Sequence, residues 1–179
     1  VPTEPGFIEK LISYAGTTVE SKVIAKGHFL IKEGETERNF YLIESGAIRV
    51  FYLSEFEEQT IRFGYEGSVI TSLSSFINET PSEFYIEALR KTQLKVIPKQ
   101  QLLNLVNQSH DNLRQYTVFL EALITQQIER EIDLLISSPT ERLNRVLKRS
   151  PNLFQHIPLK YIAAYLRMKP ETLSRIRNS

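Results

Sequence analysis

Near the end of this 179-residue chain, Glu171 and Arg175 stand four positions apart in the run Pro-Glu-Thr-Leu-Ser-Arg-Ile-Arg. On a helix that spacing places the two side chains next to each other. A carboxylate accepts a hydrogen bond from a cytosine amino group, and a guanidinium donates two to guanine O6 and N7. The pair therefore suits the edges of neighbouring base pairs in a major groove. Lys160, Lys169 and Arg177 suit phosphate oxygens, contacts that set register without reading sequence. The plain alternative for Glu171 and Arg175 is an i,i+4 ion pair on a solvated helix face.

Base-edge chemistry needs a helix held out on a small scaffold. From Leu159 onward, Ile162, Leu166, Met168, Leu173 and Ile176 supply the apolar positions that two short helices crossing at a steep angle require, with small Ala163 where they touch. Pro170 sets φ for the first turn of the second helix and bars the first from running on. Glu171, Ser174, Arg175 and Asn178 then share the face opposite Leu173 and Ile176, so a helix-turn-helix is expected. Charge points the same way. From Pro139 onward there are nine basic residues against two acidic, a net +7, whereas the rest of the chain has 13 against 19, a net −6. One basic part on an otherwise acidic chain is the footprint of a nucleic-acid-binding part, or more blandly a solvated basic surface.

Other chemistries find little support. The chain has no cysteine, which excludes disulfides, thiolate metal sites and a cysteine nucleophile. Its histidines, His28, His110 and His156, fall in three different segments, unlike the clustered ligands of a metal-binding barrel. No nucleophile-base ordering, phosphate loop or carboxylate pair has the spacing of a reaction centre, so no catalytic residue, metal or cofactor is expected. Residues 1–6 lack the basic start and apolar run of a signal peptide, and no apolar stretch approaches 18 residues. A cytoplasmic protein without membrane association is expected.

The elements upstream must present the basic part. Residues 7–14 read as a short helix, with Phe7, Leu11 and Tyr14 on one face. Short β-rich runs then follow at 40–43, 47–53, 60–63, 84–88 and 94–97, separated by turns near Gly34, Gly46, Gly67 and Pro81. That pattern means a sandwich or barrel, its glycines supplying positive φ where the chain doubles back. Residues 112–136 contain no Gly or Pro, and Leu113, Tyr116, Leu120, Ile124, Ile128, Ile132 and Leu135 recur every three or four positions. A helix of roughly 25 residues is about 37 Å long. Val118, Phe119, Ala122 and Leu123 add apolar surface off the main stripe. Two partners, the protein's own β-domain and the same helix of a second subunit, satisfy both faces; a helix buried within a monomer is the alternative. Pro139 breaks the pattern and starts a further helix to Arg149. The expected organisation is an α+β chain: a β-roll sensor over 1–110, a dimerisation helix over 111–137 and a helix-turn-helix domain over 138–179.

In this combination the chain resembles the catabolite-activator (Crp/Fnr) superfamily of bacterial regulators. The resemblance rests on Gly34-Glu35, Phe40-Tyr41-Leu42-Ile43 and Ser45-Gly46 in the roll, the long helix, and Glu171-Thr172-Leu173-Ser174-Arg175. It implies an N-terminal double-stranded β-roll of the cyclic-nucleotide-binding type. It also implies a homodimer on double-stranded DNA, base reading by Glu171 and Arg175, and backbone contacts by Thr172 and Ser174. RNA polymerase is a further candidate partner. Two positions depart from the family pattern: Arg167 stands where a turn glycine is usual, and no hairpin wing follows before Ser179.

The family's nucleotide-binding cassette carries a Glu for the ribose and, about ten residues on, an Arg for the cyclic phosphate. The matching stretch here runs from Gly67 through Thr71, Ser72 and Leu73 to Ser82 and Glu83. Ser72 replaces the acid and Ser82 the arginine. Without that cation an entering phosphate lacks a charge-assisted partner, and Glu83 would repel it. The roll is therefore expected not to bind cyclic AMP or cyclic GMP. Ser72, Ser74, Ser75 and Ser82 either line a pocket for some other small effector or cap a short helix. The competing overall reading is a cyclic-nucleotide or other small-ligand sensor module that does not bind DNA; the C-terminal charge and the missing arginine argue against it.

Overall fold

The computed structural model describes residues 5–55 and 57–178. Residues 1–4, which open the segment read for a leader, and Ser179, before which no wing was found, lie outside the described residues.

Among the described residues, helix α1 (Pro5–Ala15) is followed by eight strands: β1 (Glu20–Ile24), β2 (Phe29–Ile31), β3 (Asn39–Ser45), β4 (Ala47–Leu53), β5 (Glu58–Tyr65), β6 (Val69–Ile70), β7 (Phe84–Ala88) and β8 (Thr92–Pro98). They form two antiparallel four-stranded sheets, ordered β1-β8-β3-β6 and β2-β7-β4-β5. The sheets face each other across a core that includes Ile24, Ile31, Ile43, Ile48, Val50, Ile86 and Leu94. Each of the five β-rich runs lies within a strand. Strands β1, β2 and β6 escaped the reading, because β1 is exposed along most of its length and the other two span only three and two residues. At the β3–β4 turn Gly46 has φ +99°, and a Cβ there would come within 2.6 Å of the Thr92 Cα, so only glycine fits.

Helix α2 (Leu73–Asn78) bridges β6 and β7, and α3 (Lys99–Val106) follows β8. The long helix α4 runs His110–Leu135, starting two residues earlier than the expected span 112–136 because Ser109 caps it, its Oγ accepting from the Asn112 N–H at 3.1 Å. Phe119 and Leu123 of α4 pack with Phe7 and Leu11 of α1, Leu102 and Leu105 of α3, and Phe40 and Phe76 in a second core. Of the apolar residues off the main stripe, Phe119 and Leu123 thus face inward, Ala122 is half-buried and Val118 is exposed. On the main stripe, Leu113, Ile124, Ile128, Ile132 and Leu135 are exposed, whereas Tyr116 and Leu120 lean partly on the second core.

Helix α5 (Pro139–Arg149) begins where Pro139 and the Ser138 cap predict. It is followed by α6 (Leu153–His156), α7 (Leu159–Tyr165) and α8 (Pro170–Arg177). Their core of Leu143, Val146, Leu153, Ile157, Ile162, Ala163, Leu166 and Leu173 also takes in Ala47 and Leu89 of the roll, with Phe63 and Tyr65 packed against it. The C-terminal helices therefore share a core with the outer surface of the β4–β5 sheet.

Candidate nucleic-acid interface

Helices α7 and α8 meet through Ile162 and Ala163 on one side and Leu173 on the other, all fully buried. The connection turns at Arg167, whose φ is +51°. The position where a glycine is usual is thus left-handed in the backbone, and an arginine bears the strain. Backbone N–H groups of Arg167 and Met168 close the turn on the carbonyls of Ala164 and Ala163, at 3.1 and 3.0 Å. Lys169 is extended ahead of Pro170 at the first helical turn.

Glu171, Arg175, Lys160, Lys169 and Arg177 are all exposed, and Thr172 and Ser174 are half-buried. Lys160 lies over the Tyr161 ring, its Nζ 4.6 Å from the centroid, and Arg177 over Phe154 at 5.6 Å. The seven residues expected to meet DNA thus lie on one pair of helices and the turn that joins them, five of them exposed. Not all the basic charge of this part is available, however. Arg145 donates to Asp133 at 2.9 Å and to Glu129 at 2.7 Å, and Arg149 is paired with the same two carboxylates. Arg142 donates to the Ile136 carbonyl at 2.6 Å. These three arginines fasten α5 to the end of α4.

The sensor residues occupy one end of the roll. Ser72 and Ser82 are buried and their hydroxyls bond each other at 2.7 Å. Ser82 also exchanges hydrogen bonds with Phe84, through its carbonyl at 2.9 Å and its N–H at 3.0 Å. Ser72 holds the N-terminal position of α2, yet its side chain makes no capping bond and pairs with Ser82 instead, while Ser75 Oγ donates to the Thr80 carbonyl. Thr71 donates to the Asn39 carbonyl at 2.9 Å. Leu73 is half-buried, Gly67 lies exposed in the β5–β6 turn, and Glu83 is exposed.

The acid inside this end of the roll is one the sequence reading missed. Glu37 is 0% exposed. Its Oε1 accepts from the N–H groups of Arg38 and Asn39 at 2.9 Å each and from the Tyr41 hydroxyl at 3.1 Å, while Oε2 has no partner. Its own N–H donates to Ser75 Oγ. Burial pushes the Glu37 carboxyl above its usual range, against the lowering effect of the Asn39, Tyr41 and Arg38 hydrogen bonds; burial likewise raises the Tyr41 phenol, with Glu37 adding to it. The Glu35 carbonyl accepts from Ser82 N–H at 2.8 Å, and Gly34 N–H donates to the Ser82 carbonyl at 2.9 Å. These bonds stitch the loop before Glu37 to the serine-bearing segment.

Arg49 was missed as well. It is buried between Glu87 and Glu58, each at 2.6 Å, and lies over the rings of Phe51 and Tyr161 at 4.1 and 4.5 Å, so one guanidinium ties β4 to α7. Beside it Phe63 meets Tyr165 with ring centroids 5.2 Å apart, and Tyr65 stacks on His156 at 4.5 Å. Nothing in the sequence singled these residues out, since the contacts that tie the roll to the C-terminal helices, Arg49–Tyr161, Phe63–Tyr165 and Tyr65–His156, join positions far apart in the chain.

Residues 21–109 match the cyclic nucleotide-binding domain family. No curated protein matches the chain in sequence. Among solved structures the chain is similar to FixK2 from Bradyrhizobium japonicum, at 18% identity over 89% of this chain and 83% of that one, with a TM-score of 0.75. It is also similar to the catabolite activator protein of Thermus thermophilus, at 21% identity over 99% and 85%, TM-score 0.60. A transcriptional regulator of the crp/fnr family from Eubacterium rectale aligns at 19% identity over 94% and 79%, TM-score 0.67. Identities at this level establish a shared fold.

Proposed function

The chain carries a roll of the cyclic nucleotide-binding domain family and has the fold of the Crp/Fnr regulators, and from this premise we propose that it is a DNA-binding transcription regulator acting as a homodimer, with a roll that takes neither cyclic AMP nor cyclic GMP. The observation that carries the reading is the α7–α8 pair. We read it as a helix-turn-helix, with Glu171 and Arg175 four positions apart and exposed on a short helix whose opposite face, at Leu173, is fully buried. In this reading Glu171 and Arg175 read base edges, Thr172 and Ser174 support them on the backbone, and Lys160, Lys169 and Arg177 neutralise phosphates. Residues 138–179 form the DNA-binding domain, residues 1–110 the sensor and residues 111–137 the dimerisation helix, whose exposed Ile124, Ile128 and Leu135 would meet their counterparts in a second copy. The address is the cytoplasm; among the described residues no helix is long and apolar enough to cross a membrane.

The roll's lack of cyclic-nucleotide binding is supported by its interior. The hydroxyls of Ser72 and Ser82 are spent on each other, and neither position supplies a cation for an incoming phosphate. The remaining members of the proposed effector end, Gly67, Thr71, Leu73 and Glu83, offer no cation.

Selection of bound sequences from random DNA tests the DNA-binding reading. Losing a bidentate guanine contact costs roughly 1 to 3 kcal/mol and relaxes one position, whereas losing a phosphate contact weakens all sequences alike and lowers the salt slope by about one unit. Arg175→Ala should flatten one symmetric pair of positions in the selected motif. Lys160→Ala should leave the motif intact while binding weakens. An Arg175→Ala protein that keeps both motif and affinity would remove α8 from the role of recognition helix.

A further inference from the structure

Where β5, α4 and the C-terminal helices meet, the protein has a partly open cavity of about 130 Å³. Arg62 of β5, Arg130 of α4 and Arg149 of α5 line it together with Gln126 and Tyr165, and no Asp or Glu is among its lining residues. Arg149 is neutralised by Asp133 and Glu129. Arg62 and Arg130 have no ion pair among the described residues. Arg62 donates to Gln126 Oε1 at 3.0 Å. Arg130 donates to the Thr60 and Ile61 carbonyls at 3.2 and 3.4 Å and lies over the Tyr165 ring, 3.8 Å from its centroid. All of these partners are neutral.

Two donors are left over. Arg130 is 8% exposed, and its Nη1 has no hydrogen-bond partner; neither has Gln126 Nε2. Burial pulls both guanidiniums below their usual range, the sign of positive charge held without a full counter-charge. Two dehydrated guanidiniums, unmatched donors and an unoccupied volume between them are what a bound anion satisfies. A cavity this size lies below the roughly 300 Å³ at which pockets for drug-sized ligands begin, so the ligand is small.

We propose that this junction binds a small phosphate- or carboxylate-bearing molecule between Arg62 and Arg130. The site shares no residue with the serine-lined end of the roll. Its walls come from the roll, the long helix and the C-terminal helices, so an anion seated there favours the docked arrangement of all three and makes the position of α7 and α8 responsive to it. The proposal stands on the geometry of the junction and does not require that the protein bind DNA.

Calorimetric titration of the whole chain with inorganic phosphate and, separately, with malonate tests it, against sodium chloride at matched ionic strength. Saturable binding at millimolar affinity or tighter is expected from at least one of the two, with a rise of a few degrees in Tm, and the better arm distinguishes phosphate from carboxylate. Arg62→Met retains an apolar stem and removes an uncompensated charge, so it should weaken binding at least tenfold while the unliganded Tm holds or rises. Arg130→Met should weaken binding likewise, and exposed Lys26→Met should not. Absence of saturable binding to either anion overturns the proposal, including the case in which a carboxylate of a second copy already fills the site. Binding undiminished by Arg62→Met also overturns it, as does an Arg62→Met protein that loses stability but not affinity. Should Arg130→Met fail to fold, the wild-type titration and Arg62→Met still decide.

Discussion

A carboxylate shut inside the roll has to be held by donors, and Glu37 has them on one oxygen only. Its carboxyl is raised by burial, so the folded protein binds a proton there more readily than the unfolded chain does. By linkage the stability this contributes is present below the ordinary value near 4.5 and is lost as pH rises through the elevated folded value. Glu37→Gln keeps the acceptor and the shape without the charge. The stability of the variant relative to wild type should therefore grow between pH 4 and pH 8, by about 1.4 kcal/mol for each unit of elevation, as read by urea denaturation across that range. Parallel profiles would mean that Glu37 is ionised inside the roll at no cost. Neither its burial nor its partners could be seen in sequence. Glu37 lies one residue from Arg38 in a polar loop, and what encloses it is the serine-bearing segment some 35 residues away.

Helix α4 divides its duties by face. Phe119 and Leu123 are buried against the second core, while Ile124 at 59% and Ile128 at 50% exposed lie open. The recurrence of three and four made the helix legible, and the surplus of apolar residues made a two-sided helix legible too. Which side meets the protein's own roll depended on the packing of α1 and α3. Leu120 is partly packed on that core, so a charge there would damage the roll as well as any interface. The test of dimerisation belongs at Ile124 and Ile128. Ile124→Glu combined with Ile128→Glu should give a folded monomer, because like charges would face each other across an apolar seam. Sedimentation at tens of micromolar, on the order of ordinary assay concentrations, should show a dimer for wild type and a monomer for the variant. A monomeric wild type, or a variant that remains dimeric, would rule this face out as the interface.

Across the whole molecule, the buried carboxylate of Asp133, 1% exposed, is the point at which the long helix grips α5. Arg145 and Arg149 converge on it, and Glu129 takes a second bond from each. Removing one partner of a buried ion cluster leaves uncompensated charge, at a cost of roughly 3 to 5 kcal/mol. Asp133→Asn should lower the free energy of unfolding by that order in urea titration, and a loss below about 1 kcal/mol would show that water already screens the cluster. The same cluster alters how the basic C-terminal segment is read. Arg142, Arg145 and Arg149 count toward its +7 but are occupied within the protein. The outward charge comes instead from residues such as Lys160, Lys169 and Arg177, exposed on α7, the linking turn and α8.

By itself the sequence determined the longer elements and their order, because these follow from local rules, whereas the short or exposed strands β1, β2 and β6 do not announce themselves locally. Short β-rich runs ended by turn residues became strands, a three-and-four recurrence became α4, Pro139 and Pro170 opened helices, and Gly46 marked a turn that admits no side chain. It also put Glu171 and Arg175 on one helical face, since neighbours four apart need only the helix to meet. The tertiary structure alone decided what depends on burial and on distant neighbours. It enclosed Glu37, set Ser72 against Ser82, docked the C-terminal helices on the β4–β5 sheet and brought Arg62 and Arg130 to one cavity. The physical reason is that a charge carries the same formal sign anywhere in a sequence, while its hydration, its partners and therefore its energy are assigned only when the chain closes around it.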